Sequence, residues 1–210
     1  MIELDVKWLS YQEIVIIANQ FLTTHEYLDK LPVPIEEIIE NDLNMDIIPT
    51  PNLQRDFGIE GYISRDFSSI YVDLSIYNNN EYRYKFTLAH EIGHRVIHRN
   101  ALEQLEFDSI SSWIEVLNQI DQVAYDKMEF QGYSFGGLIL VPPHHLNRLF
   151  HEELPRVQPL IKQAKDLGIK PEDYIDYAAD TMATNLKKHF EASNDVLIRR
   201  IKYDKLTQYF

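Results

Sequence analysis

The segment HEIGH at residues 90–94 constrains this chain more than any other part of the sequence. Two histidines four positions apart lie on one face of an α-helix, about 6 Å apart along its axis. The sequence therefore predicts a helix from about Glu81 to His98 that presents both imidazoles to one point. Apolar residues recur around the motif at the spacing of a buried helix face: Phe86, Leu88, Ile92, Val96 and Ile97.

Two converging imidazoles are suited to binding a metal ion, and zinc accepts nitrogen ligands with little angular preference. Glu91 follows the first histidine and can take a proton from a water beside the ion, which prepares that water to attack a peptide carbonyl. The motif thus predicts a catalytic zinc site with His90 and His94 as ligands and Glu91 as general base. The alternative is a pair of histidines on a solvated helix face.

A catalytic zinc site needs a third protein ligand. His98 lies a full turn beyond His94, too far along the helix to close the same coordination sphere. A second helix should supply the ligand, and spacing alone does not choose among the acidic candidates that follow the motif. These are Glu103, Glu106, Glu115, Asp121, Asp126 and Glu129.

Composition places the chain among soluble globular proteins, with 45% hydrophobic and 25% charged residues. The absence of cysteine excludes disulfides and thiol catalysis. The N-terminus has no basic start and no stretch is apolar enough to span a bilayer, so a cytoplasmic protein is expected. A net charge of −13 argues against direct binding of nucleic acid, because the phosphate backbone would repel so acidic a protein. The same charge favours a basic protein partner.

The predicted elements run helices, strands, then helices, which indicates an α+β fold. Ser10 and Glu13 form a capping box for a helix that reaches about Leu22. Strands are predicted at Met45–Ile48, Ile59–Ser64 and Ser69–Leu74, the last two as a hairpin, followed by a loop at Asn78–Asn80. Later helices are predicted at Ser111–Leu140, Pro143–Phe150, Pro159–Leu167, Pro171–Phe190 and Asn194–Tyr203.

The segment RYKFTLAHEIGH at residues 83–94 resembles the signature of the ImmA/IrrE family of metallo-endopeptidases. That family carries a later helix of the form Glu-x-x-Ala-Asn-x-Phe-Ala, followed by an apolar run and a proline. Residues 129–142, EFQGYSFGGLILVP, are similar at Glu129, Phe135, the apolar run and Pro142. The early LPVPIEEII and the late FEAS segments also resemble the family, so the likeness spans nearly the whole chain.

The resemblance implies a zincin-like core over residues 1–150, with a small antiparallel or mixed sheet. Residues 151–210 would form a helical extension packed on it, or part of one single domain. The resemblance also implies Zn2+ as cofactor, Glu129 as third ligand, and hydrolysis of a peptide bond in a cytosolic protein. The family often cleaves helix-turn-helix repressors, so a basic DNA-binding repressor is the expected substrate.

The chain departs from the family pattern at Gly132 and Tyr133, which replace Ala and Asn or Asp. The family's Asn or Asp lies where it would orient a metal histidine. Tyr133 would do this through its hydroxyl, or donate to the oxyanion, or pack as a core aromatic. Gly136 and Gly137 each weaken a helix by about 1 kcal/mol, which indicates close packing against the helix with the histidines.

Two further expectations concern the substrate. Arg83 either pairs with an acid near the site or is solvated, and Ser69–Asp73 is the candidate edge strand for a substrate bound as an additional strand. The rival interpretation is a non-enzymatic, metal-stabilised regulator or toxin–antitoxin component that binds a partner or DNA through the basic C-terminal helices. Glu91 favours the enzyme, because a purely structural zinc needs no base.

Overall fold

Three short strands form a mixed sheet in the computed structural model, which describes residues 2–210. The strands are β1 (Asp46–Thr50), β2 (Gly61–Ile63) and β3 (Ser69–Asp73), and β3 lies in the middle. β3 runs parallel to β1 and antiparallel to β2. The hairpin and the α+β class predicted from the sequence are therefore confirmed.

Helices surround this sheet, and two long ones cross at its side: α5 (Glu81–Ile97) and α8 (Gln122–Leu140). No helix within residues 2–210 combines the length and apolarity needed to cross a bilayer. The other helices are α1 (Tyr11–Thr24), α2 (Ile35–Glu37, continued by a π-helical turn at Ile38–Asp42), α3 (Leu53–Phe57), α4 (Leu74–Asn79), α6 (Arg99–Leu102), α7 (Ile110–Leu117), α9 (Pro143–Asp166), α10 (Pro171–Phe190), α11 (Asn194–Tyr203) and a 3-10 turn at Leu206–Tyr209.

The first predicted strand and the predicted loop at Asn78–Asn80 both need correction. β1 continues through Pro49, because an edge strand can place a residue without an N–H on its unpaired side. Asn78 and Asn79 belong to α4, and only Asn80 lies outside a helix. The Asn80 side chain accepts a hydrogen bond from the Arg83 backbone N–H and so caps α5.

The helix predicted at Ser111–Leu140 is wrong, because the chain leaves the helix between α7 and α8. Ile120 forms a parallel bridge with Ile2, and the Asp121 side chain caps the start of α8 by accepting from the Ala124 N–H. A cap at that point begins a new helix instead of continuing the old one.

The two helices predicted after Pro143 are instead one continuous helix, α9, which runs through Pro155 and Pro159. Each internal proline removes a backbone hydrogen bond. Buried Val157 and Ile161 lie on either side of Pro159, so apolar burial against α10 offsets that loss. The predicted division into residues 1–150 and 151–210 stays a prediction, although it falls inside this helix.

The crossing of α5 and α8 is built on glycines. A Cβ placed on Gly136 would lie 3.0 Å from the backbone nitrogen of His90, and one on Gly93 would lie 3.1 Å from the Gly132 Cα. The two backbones therefore touch without intervening side chains. The predicted close packing is confirmed for Gly136, whereas Gly137 faces Arg200 at an ordinary 3.6 Å.

Adjacent glycines in α8 test this crossing. Gly136→Ala places a methyl group against the backbone of α5, so we expect it to lower the free energy of unfolding by about 1–3 kcal/mol despite the better helix propensity of alanine. Gly137→Ala meets only side-chain atoms of Arg200 and Val196, at ordinary contact distances of 3.6 and 3.9 Å, and should be neutral or stabilising by up to about 1 kcal/mol. Urea unfolding of the metal-free proteins compares them, and equal stabilities would contradict the close approach.

Candidate active site

The crossing brings His90 and His94 of α5 against Glu129 of α8. The two Nε2 atoms lie 2.9 Å apart. The Glu129 carboxylate lies 3.6 Å from His90 Nε2 and 3.5 Å from His94 Nε2. None of the other five acidic candidates, all of them among the described residues, belongs to this cluster.

The arrangement of these three side chains fits a divalent metal ion. Zinc bonds of 2.0–2.1 Å place tetrahedral ligand atoms about 3.3 Å apart, close to the observed 2.9–3.6 Å separations. Two imidazole nitrogens and one carboxylate are also a donor set that zinc accepts. The buried His90 Nδ1 finds no hydrogen-bond partner among residues 2–210, so that ring gains little from protein contacts alone.

Burial dominates the electrostatics of the two histidines. Burial, reinforced by the neighbouring His94, lowers the pKa of His90 to about 3 and keeps that ring neutral. Burial acts in the same direction on His94, but its contact with Glu129 outweighs burial and raises the pKa of His94. Burial opposes ionisation of Glu129 in turn, yet its contacts with His94 and His90 lower the pKa of Glu129. The Glu129 carboxylate therefore lies beside a neutral His90 ring.

Glu91 lies on the buried side of α5, next to the cluster. Its side chain is 6% exposed, and burial raises the pKa of Glu91 to about 7, against the opposing effects of His94 and the Ile63 backbone N–H. A carboxyl group with this pKa can accept and return a proton near neutral pH. This behaviour is what the sequence-predicted general base requires.

The raised pKa of Glu91 predicts a pH-dependent stability for the metal-free protein. The pKa is 4.5 in the unfolded chain and about 7 in the folded one, so the folded state binds the proton more tightly and stability falls as pH rises through this window. Glu91→Gln removes that loss. The variant should be more stable than wild type by about 1–3 kcal/mol at pH 8 and equal to it at pH 4. Denaturant unfolding at both pH values measures this, and a difference independent of pH would refute it.

His98 lies behind His94, on the side away from the cluster. The two Nδ1 atoms are 3.2 Å apart, and His98 Nε2 lies 2.9 Å from Gln131 Oε1. Burial and the nearby His94 lower the pKa of His98 to about 3, which keeps this ring neutral as well. Sequence reasoning set His98 aside as a ligand but missed this contact, although the spacing from His94 places both rings on one helix face.

Tyr133 covers His90 and is not a core residue. Its ring centroid lies 4.6 Å from that of His90 and 5.5 Å from that of Phe86, and the residue is 41% exposed. Gly132 approaches the histidines more closely still, since a Cβ there would lie 3.0 Å from both His94 Nε2 and His90 Cε1. A glycine at this position thus leaves room for both rings.

A cleft of about 250 Å³ opens on the cluster. β2 forms one wall, and Arg83 holds the entry to that strand by donating two hydrogen bonds of 2.5 and 2.7 Å to Glu60. The expected edge strand Ser69–Asp73 is wrong, because β3 pairs on both sides and β2 is the edge that borders the cleft. Apolar and aromatic side chains line the far end of the cleft: Leu102, Trp113, Leu117, Tyr125 and Met128.

Alanine substitutions of three acids test which one binds the metal. Glu129→Ala removes a carboxylate from the cluster and should weaken zinc binding more than about 100-fold. Loss of a residue that only supports a ligand typically weakens metal binding by about 10–100-fold, so a larger effect indicates a direct ligand. Glu115→Ala and Asp126→Ala remove exposed carboxylates and should leave affinity unchanged. Competition with a chromophoric chelator measures all three, and equal effects would argue against Glu129.

Comparison with known proteins identifies one related group. A family model described as the IrrE N-terminal-like domain, within the peptidases, matches residues 74–202. This match covers more than half of the chain and includes all four residues of the cluster and its base. Neither the curated proteins nor the solved structures contain a significant match.

Proposed function

Because the chain belongs to the peptidase family of IrrE N-terminal-like domains, we propose that it is a zinc-dependent endopeptidase. Membership indicates a metallopeptidase. The proposal assigns His90, His94 and Glu129 as zinc ligands and Glu91 as general base. The observation that carries it is the convergence of two imidazole nitrogens and a carboxylate, 2.9–3.6 Å from one another, beside a buried glutamate in a cleft.

A zinc ion held by these residues would supply Lewis acidity, which lowers the pKa of a water to about 7 and polarises the substrate carbonyl. Glu91 takes one proton from the attacking water, whose oxygen bonds to the carbonyl carbon. Glu91 then returns the proton to the amide nitrogen as the C–N bond breaks, which releases an amine and a carboxylic acid. The acid keeps the second proton of the water until it ionises to the carboxylate and loses that proton to solvent. The raised pKa of Glu91 suits both transfers near neutral pH.

The edge of β2 supports a position for the substrate chain. An extended peptide paired with this strand would gain backbone hydrogen bonds, as in other cases of strand addition. Gly61, Tyr62 and Ile63 line the same cleft as Glu91 and His94, so such a peptide would pass over the cluster. The Arg83–Glu60 ion pair joins the start of β2 to α5. It would hold the substrate-binding strand in place relative to the helix that carries His90 and His94.

The proposed substrate is a basic DNA-binding repressor of the helix-turn-helix type in the cytosol. This part of the proposal comes from the family resemblance. The net charge of −13 is compatible with it, because an acidic enzyme attracts a basic protein at long range. Direct binding of nucleic acid is not part of the proposal.

The rival function is a non-enzymatic regulator that uses the metal only for stability. A structural zinc site fills its four positions with protein ligands, whereas a catalytic site keeps one open. Three candidate ligands lie in this cluster, and it faces a cleft that also contains Glu91. These features favour the enzyme, since a binding surface has no use for a buried base.

Glu91→Gln separates the two functions. The substitution preserves the shape of the side chain and removes the base, so zinc content should stay near wild type while cleavage falls at least about 10²–10⁴-fold. Glu115→Gln, which changes an exposed acid on α7, is the matched control and should cleave like wild type. Each protein is co-expressed with a helix-turn-helix repressor encoded beside it, and the repressor is followed by length and abundance.

Two results would favour the regulator. One is a wild-type protein that loads zinc but leaves neighbouring repressors and the rest of the cellular proteins uncut. The other is a Glu91→Gln variant that acts as well as wild type. A wild-type protein that cuts proteins other than repressors would support the endopeptidase and replace only the proposed substrate.

A further inference from the structure

His94 faces the proposed metal site with Nε2 and a buried polar chain with Nδ1. The chain runs from His94 Nδ1 to His98 Nδ1 at 3.2 Å, from His98 Nε2 to Gln131 Oε1 at 2.9 Å, and from Gln131 Nε2 to the Lys7 carbonyl oxygen at 2.9 Å. The three side chains are nearly inaccessible, with 7%, 3% and 0% exposure for His94, His98 and Gln131. Water therefore cannot easily replace any of these contacts.

The Lys7 end sets the direction of every hydrogen bond in the chain. A backbone carbonyl only accepts, so the Gln131 amide NH2 must point to Lys7 and its oxygen to His98. That oxygen also only accepts, so His98 must carry its proton on Nε2. A neutral His98 then has a lone pair on Nδ1, and His94 must donate from Nδ1. The lone pair of a neutral His94 is left on Nε2, toward the metal site.

We propose that Gln131 and His98 are positioning residues that fix His94 as a metal ligand through Nε2, with the Lys7 carbonyl as the fixed end of the chain. The inference rests on the metal site of the proposed function. Hydrogen bonds from outer groups select the tautomer and hold the ring of a metal histidine. His90 has no such support, because its buried Nδ1 is without a hydrogen-bond partner in the described part of the chain.

The far end of this chain lies outside the residues that match the family model. Lys7 belongs to the N-terminal segment, whereas the match covers residues 74–202. Two contacts hold that segment against α8 and the turn before it. The Trp8 ring stacks on the Phe130 ring, with centroids 5.3 Å apart, and Ile2 forms a parallel β-bridge with Ile120. The N-terminal segment is thus part of the metal site's support, 124 positions away from Gln131 in the sequence.

Histidine tautomers in the zinc-loaded wild-type protein provide a test that needs no substitution. Long-range 1H–15N spectra distinguish a ring proton on Nδ1 from one on Nε2. We expect His98 to carry its proton on Nε2 and His94 on Nδ1. A His98 proton on Nδ1 would overturn the proposal, because no donor would then face the Gln131 oxygen.

Substitutions in the chain test its effect on metal binding. Gln131→Leu and His98→Phe remove the polar contacts and should weaken zinc binding about 10–100-fold. His98→Gln restores an acceptor for His94 and a donor for Gln131. Its affinity for zinc should stay within about threefold of wild type, a smaller change than the roughly 10–100-fold expected when these hydrogen bonds are lost. Leu186→Ala is the control for lost stability, since it removes a buried side chain from α10, which carries no residue of the site.

The outcomes separate this proposal from the proposed function. Wild-type affinity in His98→Phe and Gln131→Leu, or a loss in Leu186→Ala as large as theirs, would overturn the positioning role and leave the endopeptidase intact. A wild-type protein that binds no zinc would overturn both. If the protein binds zinc with the expected order of affinities but cleaves no protein, the positioning role stands and the proposed activity fails.

Discussion

The close approach of α5 and α8 is the constraint on which the site depends. Gly93, Gly132 and Gly136 let the two backbones touch, and only at that separation do the histidines of one helix reach the glutamate of the other. Each glycine lowers the stability of its helix by about 1 kcal/mol relative to alanine, so the close approach reduces the intrinsic helix propensity of both segments. Packing compensates beside the crossing, where Phe135 of α8 is fully buried next to Gly93 and contacts Phe21 of α1.

The same crossing concentrates polar groups in a poorly hydrated place. Glu91, His94 and His98 of the α5 segment and Gln131 of α8 are all buried, and folding must offset the loss of their hydration. Gln131 and His98 are satisfied by a chain of hydrogen bonds, whereas the Glu91 carboxyl and the His90 ring are not fully compensated within the protein. A cation bound between the ligands would relieve part of this cost, which links metal binding to stability.

The sequence predicted local features better than distant pairings. HEIGH at residues 90–94 and its apolar spacing predicted α5, while Glu129 could be chosen only through the family resemblance. The central position of β3 was missed because its second partner, β1, lies across an intervening helix. Distant partners also contribute to the break before α8, where Ile120 pairs with Ile2, and to the chain beyond His98, which ends at Lys7. The Asp121 cap and the His94–His98 spacing were local signals that were overlooked.

Diffraction at the zinc absorption edge shows directly which residues bind the metal, because anomalous scattering locates the metal without assumptions about its ligands. Crystals of the zinc-loaded protein should show one strong peak, bonded to His90 Nε2, His94 Nε2 and the Glu129 carboxylate, with the fourth position open to the cleft. A second group of potential ligands, Asp29, His144 and His145, lies elsewhere and offers the alternative. A sole peak there, or a peak at the crossing with four protein ligands, would contradict a catalytic zinc site built on His90, His94 and Glu129.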